Sequence, residues 1–290
     1  MIPAPFDYHA PKTLPEAIQL LAKHGSSAKV LSGGQSLLPL LKLRLGQVDH
    51  LIDIGKIPNL EYIKEEGGVL KLGGRTRESA LERSELIQSK YPILAETTQV
   101  IADPLVRNLA TIGGNLAHGD PANDHPATMI ALGAEIVATG PKGTRTIPAA
   151  EFFTGLFTTA LAADEILTEI RIPKPPPNSG GAYVKLERKV GDFATAAAAV
   201  QITLAQDGTI ERAGIALTNA GQVPIEAKEA QNYLKGKKPD AAAIAEAAKL
   251  AGKAAEPEAD RRGSVEYKRE MARVLTARAL KKACERAGGK

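Results

Sequence analysis

The sequence has few of the residues that build disulfides, iron–sulfur clusters and zinc sites. Its 290 residues include one cysteine, Cys284, and a single thiol forms neither an intrachain disulfide nor a four-cysteine cluster. We therefore expect no iron–sulfur centre and no cysteine-based zinc site on this chain. The histidines show no metal-ligand spacing such as His-x-x-x-His; they are His9, His24, His50, His118 and His125. The sequence accordingly predicts no bound metal.

Aromatic residues, net charge and long apolar stretches are also scarce. With no Trp, six Tyr and five Phe, the chain has little material for stacking single-stranded bases. A net charge of +4 is too small to indicate a nucleic-acid partner. The longest stretch without a charge, residues 193–206, is shorter than the roughly 20 residues that span a bilayer. Residues 1–6 lack the features of a signal peptide, so we expect a cytoplasmic protein, with association at the inner face of the membrane left open.

What is present is an ordinary globular composition, 43% hydrophobic and 24% charged. A stretch with three consecutive prolines and two glycines, residues 174–181, is typical of a linker. Before it, helical and strand-like patterns alternate; after it, three strand-like runs precede Ala/Lys/Glu-rich helices. The sequence therefore predicts an α+β protein with a first domain at residues 1–176 and a smaller C-terminal domain, a three-stranded sheet plus helices, at residues 177–290.

Local patterns predict several elements of the first domain. Thr13 and Glu16 form a capping-box pattern that begins a helix, and Gly25 is placed to end it. Glycine pairs predict turns at residues 67–68, 73–74 and 180–181, the first of them in a β-hairpin. We expect residues 111–126 to be rich in loops.

Two glycine pairs differ from the others because hydroxyl residues flank them. The first glycine segment, Ser32–Ser36, follows a predicted strand, and the second glycine segment is Thr111–Asn115. Paired glycines allow successive backbone N–H groups to approach an anion closely. Neither segment has the Gly-x-Gly-x-x-Gly or Gly-x-x-x-x-Gly-Lys pattern of common nucleotide sites. An isolated glycine pair is more often a plain turn, but two flanked pairs favour anion binding.

Together with motifs along nearly the whole chain, these segments resemble the FAD-binding medium subunits of molybdenum hydroxylases, the xanthine dehydrogenase and carbon monoxide dehydrogenase family, and most closely the carbon monoxide dehydrogenase type. The motifs are Phe6-Asp7-Tyr8, Gly33 to Pro39, Thr111 to Leu116, Asp120-Pro121, Asp124, Glu165 to Leu167, Tyr183, Lys185, Arg188 and Asp192. One such match would be weak, whereas the ordered set is specific. The resemblance implies an FAD-binding domain of the vanillyl-alcohol oxidase/PCMH type, with subdomains at about residues 1–58 and 59–176.

The resemblance also implies non-covalent FAD and assigns its binding residues. The two segments would hold the diphosphate and ribityl chain, Asp124 would lie near the flavin or ribityl hydroxyls, and apolar residues would surround the adenine. The cofactor-binding residues are then Leu31, Ser32, Gly33, Gly34, Gln35, Ser36, Ile101, Ala110, Thr111, Gly114, Asn115, Asp124, Leu167 and Lys185. Alternatives stay open: Asp124 as a helix N-cap, Lys185 as a solvated strand lysine, and the apolar residues as plain core.

By the same resemblance, the chain is an electron-transfer subunit with no catalytic residue of its own. A small subunit with two [2Fe–2S] clusters would supply electrons, and a large subunit with molybdopterin cytosine dinucleotide would oxidise the substrate. The acceptor would be a quinone, oxygen, NAD or another carrier, and the assembly a dimer of heterotrimers. One alternative is a stand-alone flavin-dependent oxidase or dehydrogenase of the same fold. A nucleotide- or nucleic-acid-binding module is the less favoured alternative.

Overall fold

A small parallel sheet opens the structure, a computed structural model that describes residues 2–289. Its elements are β1 (Asp7–His9), α1 (Leu14–His24), β2 (Ala28–Leu31), α2 (Leu37–Lys42) and β3 (His50–Asp53), with β3 between β1 and β2. The predicted capping box is present, because Thr13 and Glu16 exchange side-chain to backbone hydrogen bonds at the start of α1. Buried Ile52 packs with Leu21 of α1, and its neighbour Leu51 packs with Leu41 of α2. Helices therefore cover both faces of this sheet.

A five-stranded antiparallel sheet follows, in the order β4-β5-β10-β6-β7. Its strands are β4 (Ile63–Glu66), β5 (Val69–Gly73), β6 (Glu135–Gly140), β7 (Gly143–Pro148) and β10 (Ile166–Pro173). The intervening helices are α3 (Glu78–Arg83), α4 (Glu85–Lys90), α5 (Pro92–Gln99), α6 (Pro104–Arg107), α7 (Ile112–His118), α8 (His125–Leu132) and α9 (Ala149–Phe152), and a short pair comprises β8 (Phe153–Gly155) and β9 (Thr158–Thr159). The hairpin predicted across Gly67 and Gly68 joins β4 to β5.

The third sheet has the order β11-β12-β13-β14 and carries the C-terminal helices. Its elements are β11 (Ser179–Leu186), β12 (Ala196–Leu204), β13 (Ile210–Thr218), β14 (Ile225–Glu226), α10 (Lys228–Leu234), α11 (Ala241–Ala254) and α12 (Val265–Ala287). The sequence predicted three of these strands, and the two-residue β14 is added at the edge. Side chains alternate across β12: Ala197 and Ala199 join the core of the second sheet, whereas Ala198 and Val200 pack under the C-terminal helices.

Two local predictions were wrong. Residues 112–118 form a helix instead of a loop, with Thr111 as the N-cap. Gly180 and Gly181 lie inside β11 instead of a turn, because the strand runs so close to α12 that a Cβ on Gly180 would collide with the carbonyl oxygen of Ala283. Among residues 2–289, no helix is both long and apolar enough to cross a membrane.

Candidate functional site

The two glycine segments, almost 80 residues apart in sequence, meet in space. The first segment leaves the end of β2, and the second forms the N-cap and first turn of α7. The hydroxyls of Ser32 and Thr111 are 2.9 Å apart and share a hydrogen bond. The backbones also touch, because a Cβ on Gly33 would collide with the carbonyl oxygen of Leu109. The fold therefore places both segments at one site.

The first glycine segment presents backbone donors without acceptors. Within residues 2–289, the N–H groups of Gly33, Gly34, Gln35 and Ser36 donate to no protein atom. Gly34 has a φ of +74°, a conformation that favours glycine. The next turn then begins α2, where Leu38 N–H donates to Gly34 at 3.1 Å. Four successive unpartnered amides at the start of a helix are suited to an anion.

The second glycine segment differs, because its backbone donors are already used. Ile112 N–H and Gly113 N–H donate to the carbonyls of Thr76 and Gly74 at 3.0 and 3.1 Å. Gly114 N–H donates to the Thr111 hydroxyl at 3.2 Å, and Asn115 N–H to the Thr111 carbonyl at 2.9 Å. The expectation that this segment offers free amides is therefore not met.

What the second segment offers instead is side chains. The Thr111 hydroxyl lies opposite Ser32, and the Oδ1 atom of Asn115 is buried without a hydrogen-bond partner among the described residues 2–289. A buried amide oxygen without a hydrogen bond is costly. A donor from a bound molecule would satisfy it.

The segments line a cleft with a volume of about 810 Å³, within the range of cofactor pockets. Of the predicted cofactor-binding residues, those that line it are Ser32, Gly33, Gly34, Gln35, Ser36, Ile101, Ala110, Thr111, Gly114, Asn115, Asp124 and Leu167. Leu31 does not line it; its side chain packs against the buried cluster of Leu41, Val48 and Leu51. Lys185 does not line it either.

Lys185 instead reaches the cleft through Asp124. Its Nζ atom lies 3.0 Å from the Asp124 carboxylate and 3.0 Å from the carbonyl oxygen of Val100. The Tyr183 hydroxyl donates to the other carboxylate oxygen at 2.6 Å. The lysine side chain is only 3% exposed, so the alternative of a solvated lysine is wrong. Strand β11 of the third sheet thereby fixes the position of a carboxylate in the cleft.

Burial dominates the electrostatics of this group. It raises the pKa of Asp124, against the effect of Lys185 and Tyr183, and it raises the pKa of Tyr183 well above 10.0. Asp124 stands at the N-cap position of α8 but makes no capping hydrogen bond. Its oxygens serve Tyr183 and Lys185 instead, so the N-cap alternative is not supported.

A second buried pair joins α3 to α8. The Nε2 atom of His125 and a carboxylate oxygen of Glu78 are 2.7 Å apart, and both side chains are fully buried. Glu78 also donates its backbone N–H to the carbonyl of Ala110. Sequence analysis missed the pair because 47 residues separate its members.

Aromatic and histidine side chains complete the wall of the cleft. His118 ends α7 and packs its ring 5.2 Å from that of Phe157, and burial lowers its pKa. Phe193 is exposed and lines the cleft beside Gly191 and Asp192. Phe157 lines the cleft as well, and no pattern in the sequence predicts its place there.

Comparisons with known proteins cover nearly the whole chain. Residues 4–175 match the family described as the FAD binding domain in molybdopterin dehydrogenase, and residues 181–283 match the CO dehydrogenase flavoprotein C-terminal domain. The carbon monoxide dehydrogenase medium chain of Hydrogenophaga pseudoflava is 46% identical over 286 residues, which is 99% of each protein. The glyceraldehyde dehydrogenase medium chain of Sulfolobus acidocaldarius is 34% identical over 97% of this chain and 99% of that one.

Solved structures agree. A chain of the Hydrogenophaga pseudoflava carbon monoxide dehydrogenase that lacks the Mo-pyranopterin moiety superposes with a TM-score of 0.96 at 48% identity, over 99% of both chains. A chain of quinoline 2-oxidoreductase from Pseudomonas putida 86 gives 0.92 at 33% identity, again over 99% of both. The predicted α+β fold, an FAD-binding part followed by a C-terminal part with a small sheet, is confirmed.

Proposed function

The chain belongs to the FAD-binding medium subunits of the carbon monoxide dehydrogenase-type molybdenum hydroxylases, which are oxidoreductases, and we propose that it transfers electrons within such a complex. Electrons would arrive from the [2Fe–2S] clusters of a small partner subunit and leave to a quinone, oxygen, NAD or another acceptor. A large partner subunit with molybdopterin cytosine dinucleotide would oxidise the substrate. Two such heterotrimers would form the complete assembly.

Bound FAD supplies the redox chemistry, because it exchanges electrons singly or in pairs and so joins one-electron clusters to a two-electron acceptor. The residues of this chain bind and orient it. We assign the diphosphate to the unpartnered amides of Gly33 to Ser36. Each charge-assisted hydrogen bond contributes about 1.5–3 kcal/mol. These four amides are the observation that supports the proposal most strongly.

The remaining contacts follow from which side chains line the cleft. Ile101, Ala110 and Leu167 supply an apolar wall suited to the adenine. Asn115 would accept a hydrogen bond at its buried Oδ1 atom. Asp124 would face the flavin or its ribityl hydroxyls.

Two predicted residues are assigned indirect roles. Leu31 would act as a positioning residue for Gly34, since a Cβ on that glycine would come within 3.2 Å of its side chain. Lys185 would act through its ion pair with Asp124. The division into domains at residues 1–176 and 177–290 is part of the same proposal, as is the absence of a catalytic residue on this chain.

Reconstitution with partner subunits tests the electron-transfer role. The chain is produced together with small and large subunits as wild type and as Gly114→Val, which we expect to assemble without FAD. A reductant, with carbon monoxide, an aldehyde and an N-heterocycle tried in turn, should reduce the iron–sulfur clusters in both complexes, as read by electron paramagnetic resonance. Turnover with an external acceptor should be lost only in the variant.

Two results would contradict the proposal. A flavin-free complex that reduces the external acceptor at the wild-type rate would remove this chain from the electron path. Steady oxidation of a substrate by the isolated, FAD-loaded chain would instead support a stand-alone oxidase.

A further inference from the structure

Three histidines that are far apart in the sequence meet on one face of the first sheet. His9 ends β1, His24 ends α1 and His50 begins β3. One ring nitrogen from each residue lies within 4.8 Å of the other two. The rings of His24 and His50 have centroids only 3.6 Å apart. The three half-buried imidazoles therefore form a single cluster.

The topology explains why they converge. Strands β1 and β3 are parallel, with Asp7 paired to His50 and His9 to Ile52. Side chains two residues apart share a face of a sheet, so His9 and His50 lie on the face that also carries Ile52. Helix α1 packs on that face and ends at His24. The cluster thus joins three elements of the subdomain that presents the first glycine segment.

The polar atoms of the cluster are incompletely satisfied. The Nε2 atom of His24 is buried and has no hydrogen-bond partner within residues 2–289. The Nε2 atom of His9 and the Nδ1 atom of His50 are 3.3 Å apart. In a tetrahedral zinc site, Zn–N bonds of about 2.0–2.1 Å place two ligand nitrogens about 3.4 Å apart.

A carboxylate and a helix end beside the cluster favour a cation, against the positive charge of the neighbouring Lys23. A carboxylate oxygen of Asp7 lies 3.6 Å from the His50 Nδ1 atom. His24 also occupies the C-terminal end of an 11-residue helix, where the helix dipole attracts positive charge.

We propose that His9, His24 and His50 bind a divalent transition metal, with zinc as the expected ion. Three imidazoles are ligands that zinc, copper and nickel accept and that magnesium and calcium do not prefer. A water or the Asp7 carboxylate would complete the coordination. None of the three histidines lines the FAD cleft, so the metal would be structural and would link β1, α1 and β3.

The prediction of no bound metal rested on spacing along the chain. Intervals of 15 and 26 residues between these histidines match no common motif. Parallel strand pairing and the end of α1 bring them together, and neither is visible in the spacing.

Zinc titration of the full-length, FAD-loaded chain without an affinity tag tests the proposal. Calorimetry should give one Zn²⁺ per chain, and X-ray absorption at the zinc edge should count three imidazole nitrogens. At a hundredfold excess over Kd, zinc should raise Tm by about 5 °C.

Single variants identify the ligands. His24→Gln and His50→Gln should each weaken zinc binding by about 100-fold or more, since even the loss of an outer-shell partner costs about 10–100-fold. His118→Gln, the same change outside the cluster, should leave zinc affinity unchanged. Far-UV circular dichroism checks that each variant folds, and His9→Gln replaces any variant that does not.

The proposal would be overturned by zinc binding well below one equivalent, by an absorption spectrum without three imidazoles, or by histidine variants that bind zinc as tightly as wild type. None of these readouts depends on electron transfer, so the metal-binding proposal and the proposed function can fail independently of each other.

Discussion

The two glycine segments look alike in sequence but are built differently. In the first, four consecutive backbone N–H groups, those of residues 33–36, have no acceptor in the part of the chain that the structure describes. In the second, the N–H groups of residues 112–115 are all bonded within the protein. The first is an irregular turn that depends on the positive φ of Gly34, whereas the second is the first turn of a helix.

This difference separates two uses of glycine. In the first segment, glycine frees the backbone to present donors to a ligand. In the second, Gly113 lets the helix pack directly on the backbone of Gly74, and Gly114 keeps the space opposite Ser32 open. The first segment binds the ligand, whereas the second supports the packing of α7 and shapes the cleft. Substitutions in the two segments should therefore have different effects.

Filling the gap between the segments should have the largest effect. A Cβ on Gly114 would lie 2.8 Å from the Thr111 hydroxyl and 3.8 Å from Ser32 Cβ, and the methyl groups of Gly114→Val would occupy the cleft. We expect FAD retention to be abolished, as measured by the FAD-to-protein ratio after gel filtration.

Gly155→Val is the matched control, because a Cβ there would meet only Thr158, at 3.7 Å or more. Unchanged FAD content in Gly114→Val would show that the gap is not part of the binding site.

Alanine substitutions at Gly34 and Gly113 should separate the effect on FAD affinity from the effect on protein stability. Gly34→Ala forces a side chain into a left-handed conformation at a cost of about 1–2 kcal/mol, which an irregular turn can relieve by rearranging. FAD affinity should then fall about 5–30-fold with little change in Tm. Gly113→Ala drives a Cβ into the Gly74 carbonyl and should lower the free energy of unfolding by about 1–3 kcal/mol.

Flavin fluorescence quenching and thermal melts measure the two quantities. The comparison between the segments fails if Gly34→Ala unfolds the protein while Gly113→Ala melts at the wild-type temperature.

The contact between the segments should make a smaller contribution. Ser32→Ala and Thr111→Ala each remove one partner of the 2.9 Å hydrogen bond. In the FAD-free chain, a double-mutant cycle in urea should give a coupling energy of about 0.5–1.5 kcal/mol. Thr111→Ala should cost about 1 kcal/mol more on its own, because it also removes the N-cap of α7. Additive effects would indicate that the segments do not stabilise each other.

The smallest effect should be a pH dependence that arises at the second segment's helix and not in the first segment. The first segment has no titratable residue, whereas burial lowers the pKa of His118 at the end of α7 below 6.5. Below that pH the unfolded chain binds a proton that the folded chain resists, so the FAD-free protein should lose stability as the pH falls from 6.5.

His118→Gln should flatten this part of the profile of unfolding free energy between pH 6.5 and 5. Asp120 and the other acidic groups are unchanged in the variant, so they act as the internal control. An identical slope in both proteins would mean that His118 titrates alike in the folded and unfolded chains.

The structural features that could be predicted from the sequence are those that depend on residues close together in the chain. Thr13 and Glu16 predict the start of α1, because the capping box that they form lies within four consecutive residues. The hairpin at Gly67 and Gly68 is likewise local. The convergence of the two glycine segments came from family resemblance, since no local pattern links positions 32 and 111.

Long-range contacts account for what the sequence did not predict. Gly180 was predicted to form a turn, but it lies in β11, where the close packing of α12 leaves no room for a Cβ atom. Helix α12 begins only at Val265, far along the chain. The sequence left open a solvated Lys185, whereas in the fold its Nζ atom donates to Asp124 and to the carbonyl oxygen of Val100. The second glycine segment resembles the first in sequence, but the carbonyls of Gly74 and Thr76 accept hydrogen bonds from two of its amides.

A crystal structure of the chain with FAD bound tests the central claim most directly. We predict that the diphosphate oxygens accept hydrogen bonds from the backbone amides of residues 33–36, while the amides of residues 112–115 keep their protein acceptors. A diphosphate held by the amides of 112–115, or lying outside the gap between Ser32 and Thr111, would contradict this account.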